Sequence, residues 1–121
     1  MSIQQAFLQG KKHLDSGKYE DTLEVVDQAL KGEPSNPYLN CLKAQALQKL
    51  GGGRWKECLS VIEEGQKSLN LPKDEALVPQ FARTGIEVAN HVLEVGSLNE
   101  KKQALQLKIR FLRDLISFLE R

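Results

Sequence analysis

The residues that could perform chemistry in this chain are few and lie far apart. The two histidines are His13 and His91, and the two cysteines are Cys41 and Cys58. No pair among them has the short spacing of a zinc or redox motif, and the chain has no phosphate-binding loop or nucleophile elbow. The pattern therefore predicts a protein that is not an enzyme and that has no metal site and no cofactor.

These groups are better explained by structural roles. Both cysteines lie within helical apolar patterns, where a free cysteine acts as a small hydrophobic residue. We expect His13 and His91 to be packed or partly buried side chains. The adjacent carboxylates Glu20–Asp21 and Glu63–Glu64 are predicted to lie on solvated helix faces and to keep the chain soluble.

The chain has 121 residues, with 17 basic and 16 acidic side chains. This length favours one domain, and the net charge of +1 argues against binding driven by nucleic-acid phosphates or an anionic membrane. No run approaches the ~18 apolar residues of a membrane span, and the N-terminus lacks the apolar core of a signal peptide. We therefore expect an intracellular protein, either cytoplasmic or nuclear.

Six helices are predicted, and no useful length of chain alternates with the period of a strand. Capping boxes open the first helix at Ser2 with Gln5 and the last helix at Ser97 with Glu100. Asn36 is predicted to cap the third helix. The pattern therefore predicts an all-α fold.

Helix-breaking residues predict the other helix ends. Gly17 separates the first two helices, and the glycine run 51–53 ends the third. Trp55 opens the fourth helix. Pro79 is predicted to lie in the first turn of the fifth helix, which continues to about Val95, because a proline deeper in a helix would break a hydrogen bond.

An internal repeat relates the first helix pair to the second. Tyr19 and Trp55 each precede, by three positions, a small residue that is followed by leucine. Small residues recur in the first, third and fifth helices, at Gly10, Ala44 and Gly85. Small side chains let neighbouring helices approach closely. Each helix pair is therefore expected to form a hairpin that stacks on the next hairpin.

These residues resemble the tetratricopeptide repeat family. The first repeat, about 3–34, matches the family pattern at Gly10, Gly17, Tyr19, Thr22, Ala29, Leu30 and Pro34. The second repeat, about 36–70, carries a Gly51–Gly53 insertion, either natural or an engineered replacement of a longer loop, and has Gly65 where the family prefers Ala. The third pair, about 79–120, is divergent. The resemblance implies one domain of stacked antiparallel helix hairpins, a short right-handed α-solenoid with a long C-terminal capping helix.

The resemblance also implies a function, that of an adaptor or scaffold subunit binding a peptide or a partner helix in a concave groove. Carried over position by position, the groove residues are Gln4, Phe7, Lys11, Tyr38, Cys41, Gln45, Gln48, Lys49, Ala82, Ile86 and Asn90. The alternative is that some of them contact neighbouring hairpins. Carboxylate-clamp binding of a heat-shock chaperone tail is argued against, because Phe7 and Leu42 occupy two polar positions of that clamp.

The last helix carries two apolar stripes. One contains Leu105, Ile109, Leu112, Ile116 and Leu119, and the other contains Leu107, Phe111, Leu115 and Phe118. Together they are wider than the ~100° stripe of a surface helix, so either the fifth helix covers both or one binds a second molecule. The predicted second interface, for self-association or for another subunit, comprises Phe111, Leu112, Leu115, Ile116, Phe118 and Leu119.

Basic residues occupy much of the remaining surface of that helix: Lys101, Lys102, Lys108, Arg110 and Arg113. They are expected to form a solvated face. The alternative function is that of a nucleic-acid-associated complex subunit that uses this basic side. The near-neutral net charge counts against that alternative.

Overall fold

The computed structural model describes residues 1–120, which form six α-helices and no β-strand. The helices are α1 (Ile3–Asp15), α2 (Tyr19–Leu30), α3 (Pro37–Leu50), α4 (Trp55–Lys67), α5 (Leu77–Val95) and α6 (Leu98–Leu119). The all-α fold predicted from the apolar spacing is confirmed.

Local hydrogen bonds fix the starts of three helices. Ser2 Oγ accepts the Gln5 N–H at 3.1 Å, and Gln5 Oε1 accepts the Ser2 N–H at 2.9 Å. Ser97 and Glu100 form the same reciprocal pair at 3.3 and 2.9 Å. Asn36 Oδ1 caps α3 by accepting a backbone N–H at 3.1 Å. Because these caps satisfy N–H groups that the first helical turn leaves unpaired, the predicted capping residues are confirmed.

The glycine run 51–53 ends α3 at Leu50, as the sequence predicts, and connects it to α4. Gly51 and Gly52 have φ angles of +66° and +62°, a conformation that glycine adopts without steric cost. The helix on the far side begins at Trp55, as predicted. Pro79 is the third residue of α5 and therefore lies in its first turn, also as predicted.

Each helix packs against the next one along the chain, and α1, α3 and α5 also contact one another in series. The largest buried cluster, centred on Leu47, Ile62 and Phe81, joins α3, α4 and α5. A smaller cluster around Val26 and Leu39 holds α1 and α2 against α3. Because α3 contacts four other helices, α1, α2, α4 and α5, it forms the centre of the molecule.

Two glycines receive a phenyl ring from the following helix. A Cβ atom added to Gly65 would lie 2.3 Å from the ring of Phe81, and one added to Gly85 would lie 2.3 Å from the ring of Phe111. These separations are far shorter than a van der Waals contact, so a larger residue would displace the ring. Phe81 therefore explains why residue 65 is glycine where the family resemblance predicts alanine.

Candidate functional site

Helices α1, α3 and α5 present their side chains on one side of the molecule, which we name the α1/α3/α5 face. On each helix the residues recur at steps of three and four, as neighbours on one helical surface do. They are Gln4, Phe7, Lys11 and Leu14 on α1, Tyr38, Cys41, Gln45 and Gln48 on α3, and Gln80, Arg83, Glu87 and Asn90 on α5.

An aromatic pair joins α1 to α3 on this face. The rings of Phe7 and Tyr38 meet edge to face, with centroids 5.8 Å apart and an interplanar angle of 89°. Both side chains are half-buried, so part of each ring remains open to solvent. The pair therefore offers an apolar contact on a surface that is otherwise mostly polar.

The hydroxyl of Tyr38 is held in its protonated form. Burial, followed by the neighbouring Asp74 carboxylate, raises the pKa of Tyr38. Asp74 Oδ2 accepts the Asn70 N–H at 2.9 Å, and the buried Oδ1 of the same carboxylate has no hydrogen-bond partner within residues 1–120. Tyr38 can consequently donate a hydrogen bond but is poorly suited to act as a nucleophile.

Side-chain amides connect α3 to α5. Gln80 Oε1 accepts a hydrogen bond from Gln45 Nε2 at 3.4 Å and a weak one from Cys41 Sγ at 3.6 Å. The bond between the two amides is long and exposed, and such bonds contribute little net free energy. A bound polypeptide could therefore replace it without a large penalty.

A cleft of about 360 Å³ opens on this face where α1, α3 and α5 converge with the start of α2. Its lining residues are Leu14, Asp15, Tyr19, Gln45, Gln48, Lys49, Gln80, Arg83, Thr84 and Glu87. Two cations, Lys49 and Arg83, and two anions, Asp15 and Glu87, balance one another. The cleft is therefore polar without a net charge of either sign.

Most of the predicted groove residues are accessible in the structure. The exposed or half-buried ones are Gln4, Phe7, Lys11, Tyr38, Gln45, Gln48, Lys49, Ile86 and Asn90. Two predictions need correction, because Cys41 and Ala82 are buried and contribute to the floor beneath the surface.

The α5 side of the cleft was missed by the family-based alignment. Gln80, Arg83 and Glu87 are exposed there and lie in one stripe with Asn90, with steps of three, four and three residues. This polar stripe was the available signal, since α5 lacks the family motif that aligns the first two pairs.

The structure also corrects the residues predicted for the second interface, on α6. Phe111 is fully buried against Gly85 and belongs to the core, so its inclusion was wrong. Leu115 and Phe118 are half-buried beside it, whereas Leu112, Ile116 and Leu119 are exposed. The inner stripe of α6 is thus covered by α5, and the outer one is open.

The groups singled out for possible chemistry form no metal-binding cluster within residues 1–120. Cys41 and Cys58 are free and buried, as predicted, and burial raises the pKa of each thiol to about 12. Cys58 Sγ donates to the Ala44 carbonyl at 3.2 Å. His13 is half-buried as predicted, but His91 is exposed, contrary to the prediction of a packed ring. The two carboxylate pairs are exposed, as expected.

Two larger clefts, of about 570 and 530 Å³, lie between α4 and α6. Side-chain bonds span the gap, with Lys56 Nζ 3.4 Å from Glu100 and Gln66 bonded to Arg110 at 3.2 Å and to Asp114 at 3.3 Å. We regard the α1/α3/α5 face as the better site, because it contains most of the predicted groove residues and the aromatic pair of Phe7 and Tyr38. Arg110 is engaged within the chain, and the nucleic-acid alternative stays a prediction.

Among residues 1–120, no three histidine, cysteine or acidic side chains converge as metal ligands would, and no helix combines the length and apolarity needed to cross a bilayer. In comparisons with known proteins, no family model, curated protein or solved structure matches the chain. The resemblance to the tetratricopeptide repeat family therefore rests on the residues of the chain itself and stays a prediction.

Proposed function

We propose that the chain is a non-catalytic protein–protein interaction module of the tetratricopeptide-repeat type, an adaptor or scaffold subunit. In this proposal the helix pairs stack as a short right-handed solenoid, and an extended peptide or partner helix lies across the α1/α3/α5 face. One observation carries the proposal: three helices in serial contact line a polar cleft of about 360 Å³, whose charges balance, beside a half-buried aromatic pair.

The side chains of the face suit recognition of polypeptide backbone. Gln45, Gln48 and Gln80 each provide both N–H donors and a carbonyl acceptor, which complement the peptide groups of an extended chain. Phe7 and Tyr38 provide an apolar contact for one anchoring side chain. Because the charges of the cleft cancel, we expect ligands with mixed or little net charge.

Selection from a displayed library of random peptides of about 12 residues tests this function. We expect Phe7→Ala and Gln45→Ala each to weaken the selected peptides by about 10-fold or more in calorimetric Kd, since both remove direct contacts. The matched control is Glu24→Ala, which changes an exposed side chain of α2 and should leave Kd unchanged.

Two results would count against the proposal. One is that no peptide is enriched on the wild-type chain, and the other is that enriched peptides bind both face variants and the control equally. Far-UV circular dichroism of each variant establishes that lost binding is not lost fold. The wild-type chain is compared in the same runs.

A further inference from the structure

The outer side of α6 exposes a line of large aliphatic side chains, which we name the α6 stripe. Its members, each between 41% and 77% exposed, are Leu98, Leu105, Ile109, Leu112, Ile116 and Leu119. From Leu105 onward they recur at steps of four, three, four and three, the apolar repeat of helices that pair along their length.

The described part of the chain leaves this stripe uncovered. α2 and α4 each pack against both the preceding and the following helix, whereas the backbone of α6 packs against α5 alone. The contact with α5 uses the opposite side of α6, through the buried Ala104 and Phe111. A helix side that faces only water is normally polar, so an aliphatic stripe indicates a partner.

We propose that the α6 stripe docks against the same stripe of a second copy of the chain, with the two α6 helices antiparallel. With the twofold axis between residues 110 and 111, Leu105 meets Ile116 of the second copy, and Ile109 meets Leu112 of the second copy. The stripe is therefore self-complementary: each of these four aliphatic side chains finds an aliphatic partner in both copies.

The charges along α6 select this orientation. In the antiparallel pair, Lys102 lies beside Leu119 and Glu120 of the second copy, so opposite charges meet at both ends of the interface. In a parallel pair, Lys102 would face Lys102 of the second copy. Lys108 and Arg113 do not discriminate between the orientations, because the antiparallel register also brings them to the same level. The like charges at residue 102 disfavour the parallel form, and within residues 1–120 neither Lys102 nor Glu120 forms an ion pair that would compete.

Sedimentation equilibrium of the full chain tests the association. One helix from each copy forms a small interface, for which we expect a Kd of about 1–100 µM. The apparent mass should accordingly rise from 13.6 kDa toward twice that value with increasing concentration. Leu112→Asp should weaken association by about 30-fold or more, because it buries a charge in the centre of the stripe.

The matched control is Gln103→Asp, an exposed change on the side of α6 that faces α4, and it should associate like the wild type. A wild-type chain that remains monomeric at about 500 µM would overturn the proposal and would point to a different protein or a further helix as the occupant. Equal association of Leu112→Asp and the wild type would also overturn it.

Charge exchange tests the orientation without changing any apolar residue, so folding is not at risk. Lys102→Glu and Glu120→Lys should each weaken association, by about 3-fold to 10-fold. The double variant should recover wild-type affinity, since each pair is re-formed with its signs reversed. Failure of the double variant to recover affinity would rule out the antiparallel arrangement.

Discussion

The α1/α3/α5 face and the α6 stripe are two exposed surfaces that differ in chemistry. The face combines amides, balanced charges and one half-buried aromatic pair, so the proposed binding there would depend on hydrogen-bond geometry. The stripe offers aliphatic area, so the proposed association there would depend on burial. The first suits reversible capture of varied peptides, and the second suits one fixed partner surface.

The substitution with the largest expected effect on stability distinguishes the buried side of α6 from its exposed side. Phe111 is fully buried and its neighbour Leu112 is exposed, so adjacent residues belong to different environments. Phe111→Ala should lower the free energy of unfolding by about 3–5 kcal/mol, because it opens a cavity against Gly85. Leu112→Ala, measured by urea unfolding of dilute monomer, should change it by less than about 1 kcal/mol.

Comparable losses of unfolding free energy in Phe111→Ala and Leu112→Ala would contradict the assignment of the inner and outer sides of α6. Measurements at low protein concentration are essential, since association stabilises the folded state by mass action. At high protein concentration the free energy of unfolding of Leu112→Ala should fall further below that of the wild type. The reason is that the weakened dimer of the variant adds less stability to its folded state.

An intermediate effect tests whether the two surfaces act independently. Phe7→Ala should weaken a selected peptide about 10-fold while leaving self-association unchanged, and Leu112→Asp should do the reverse. The residues lie on different helices that do not contact each other, so no coupling is expected. Parallel calorimetry and sedimentation on both variants provide the check, and a variant that impairs both activities would show that the surfaces are linked.

A pH-dependent effect concerns the floor of the α1/α3/α5 face, where Cys41 lies. Burial raises the pKa of Cys41 and of Cys58 to about 12, whereas an unfolded thiol titrates near ~8.5. Between these values the unfolded state loses protons that the folded state keeps, so the free energy of unfolding should fall as pH rises from ~9 toward 12 and should be unaffected by the thiols below that range.

Thiol-reagent kinetics check this prediction directly. Both cysteines should react much more slowly with Ellman's reagent in the native state than in denaturant, since only the thiolate is nucleophilic and neither sulfur is accessible. The Cys41→Ala variant identifies the contribution of each thiol. A fast reaction of Cys41 with the reagent in the native state would mean that the thiol is accessible from the α1/α3/α5 face, contrary to its burial in the structure.

The predictability of the fold follows from local chemistry. Ser2, Asn36 and Ser97 cap helices through bonds to residues three positions away, so their sequence neighbours suffice to predict them. Phe111 could not be assigned in this way, because helical period yields two stripes on α6 and only the contact with Gly85 decides which one is buried.

In the candidate site, too, local sequence patterns predicted some residues, whereas others depend on packing between helices. Gln45 and Gln48 were predicted because α3 carries a repeat motif that fixes their positions. Gln80 and Arg83 were not, since α5 has no such motif and only packing against α3 reveals their direction. The link between Tyr38 and Asp74 joins residues that are far apart in the chain, and spacing carries no information about it.

The central claim is that polypeptide binds across α1, α3 and α5, and backbone amide chemical-shift mapping with a selected peptide tests it most directly. We predict that the largest shifts will fall at Phe7, Gln48, Arg83 and Asn90, with little change at Ser60 and Glu63 on the opposite side. Shifts confined to the α4–α6 clefts, or the absence of any shift at saturating peptide, would contradict the claim.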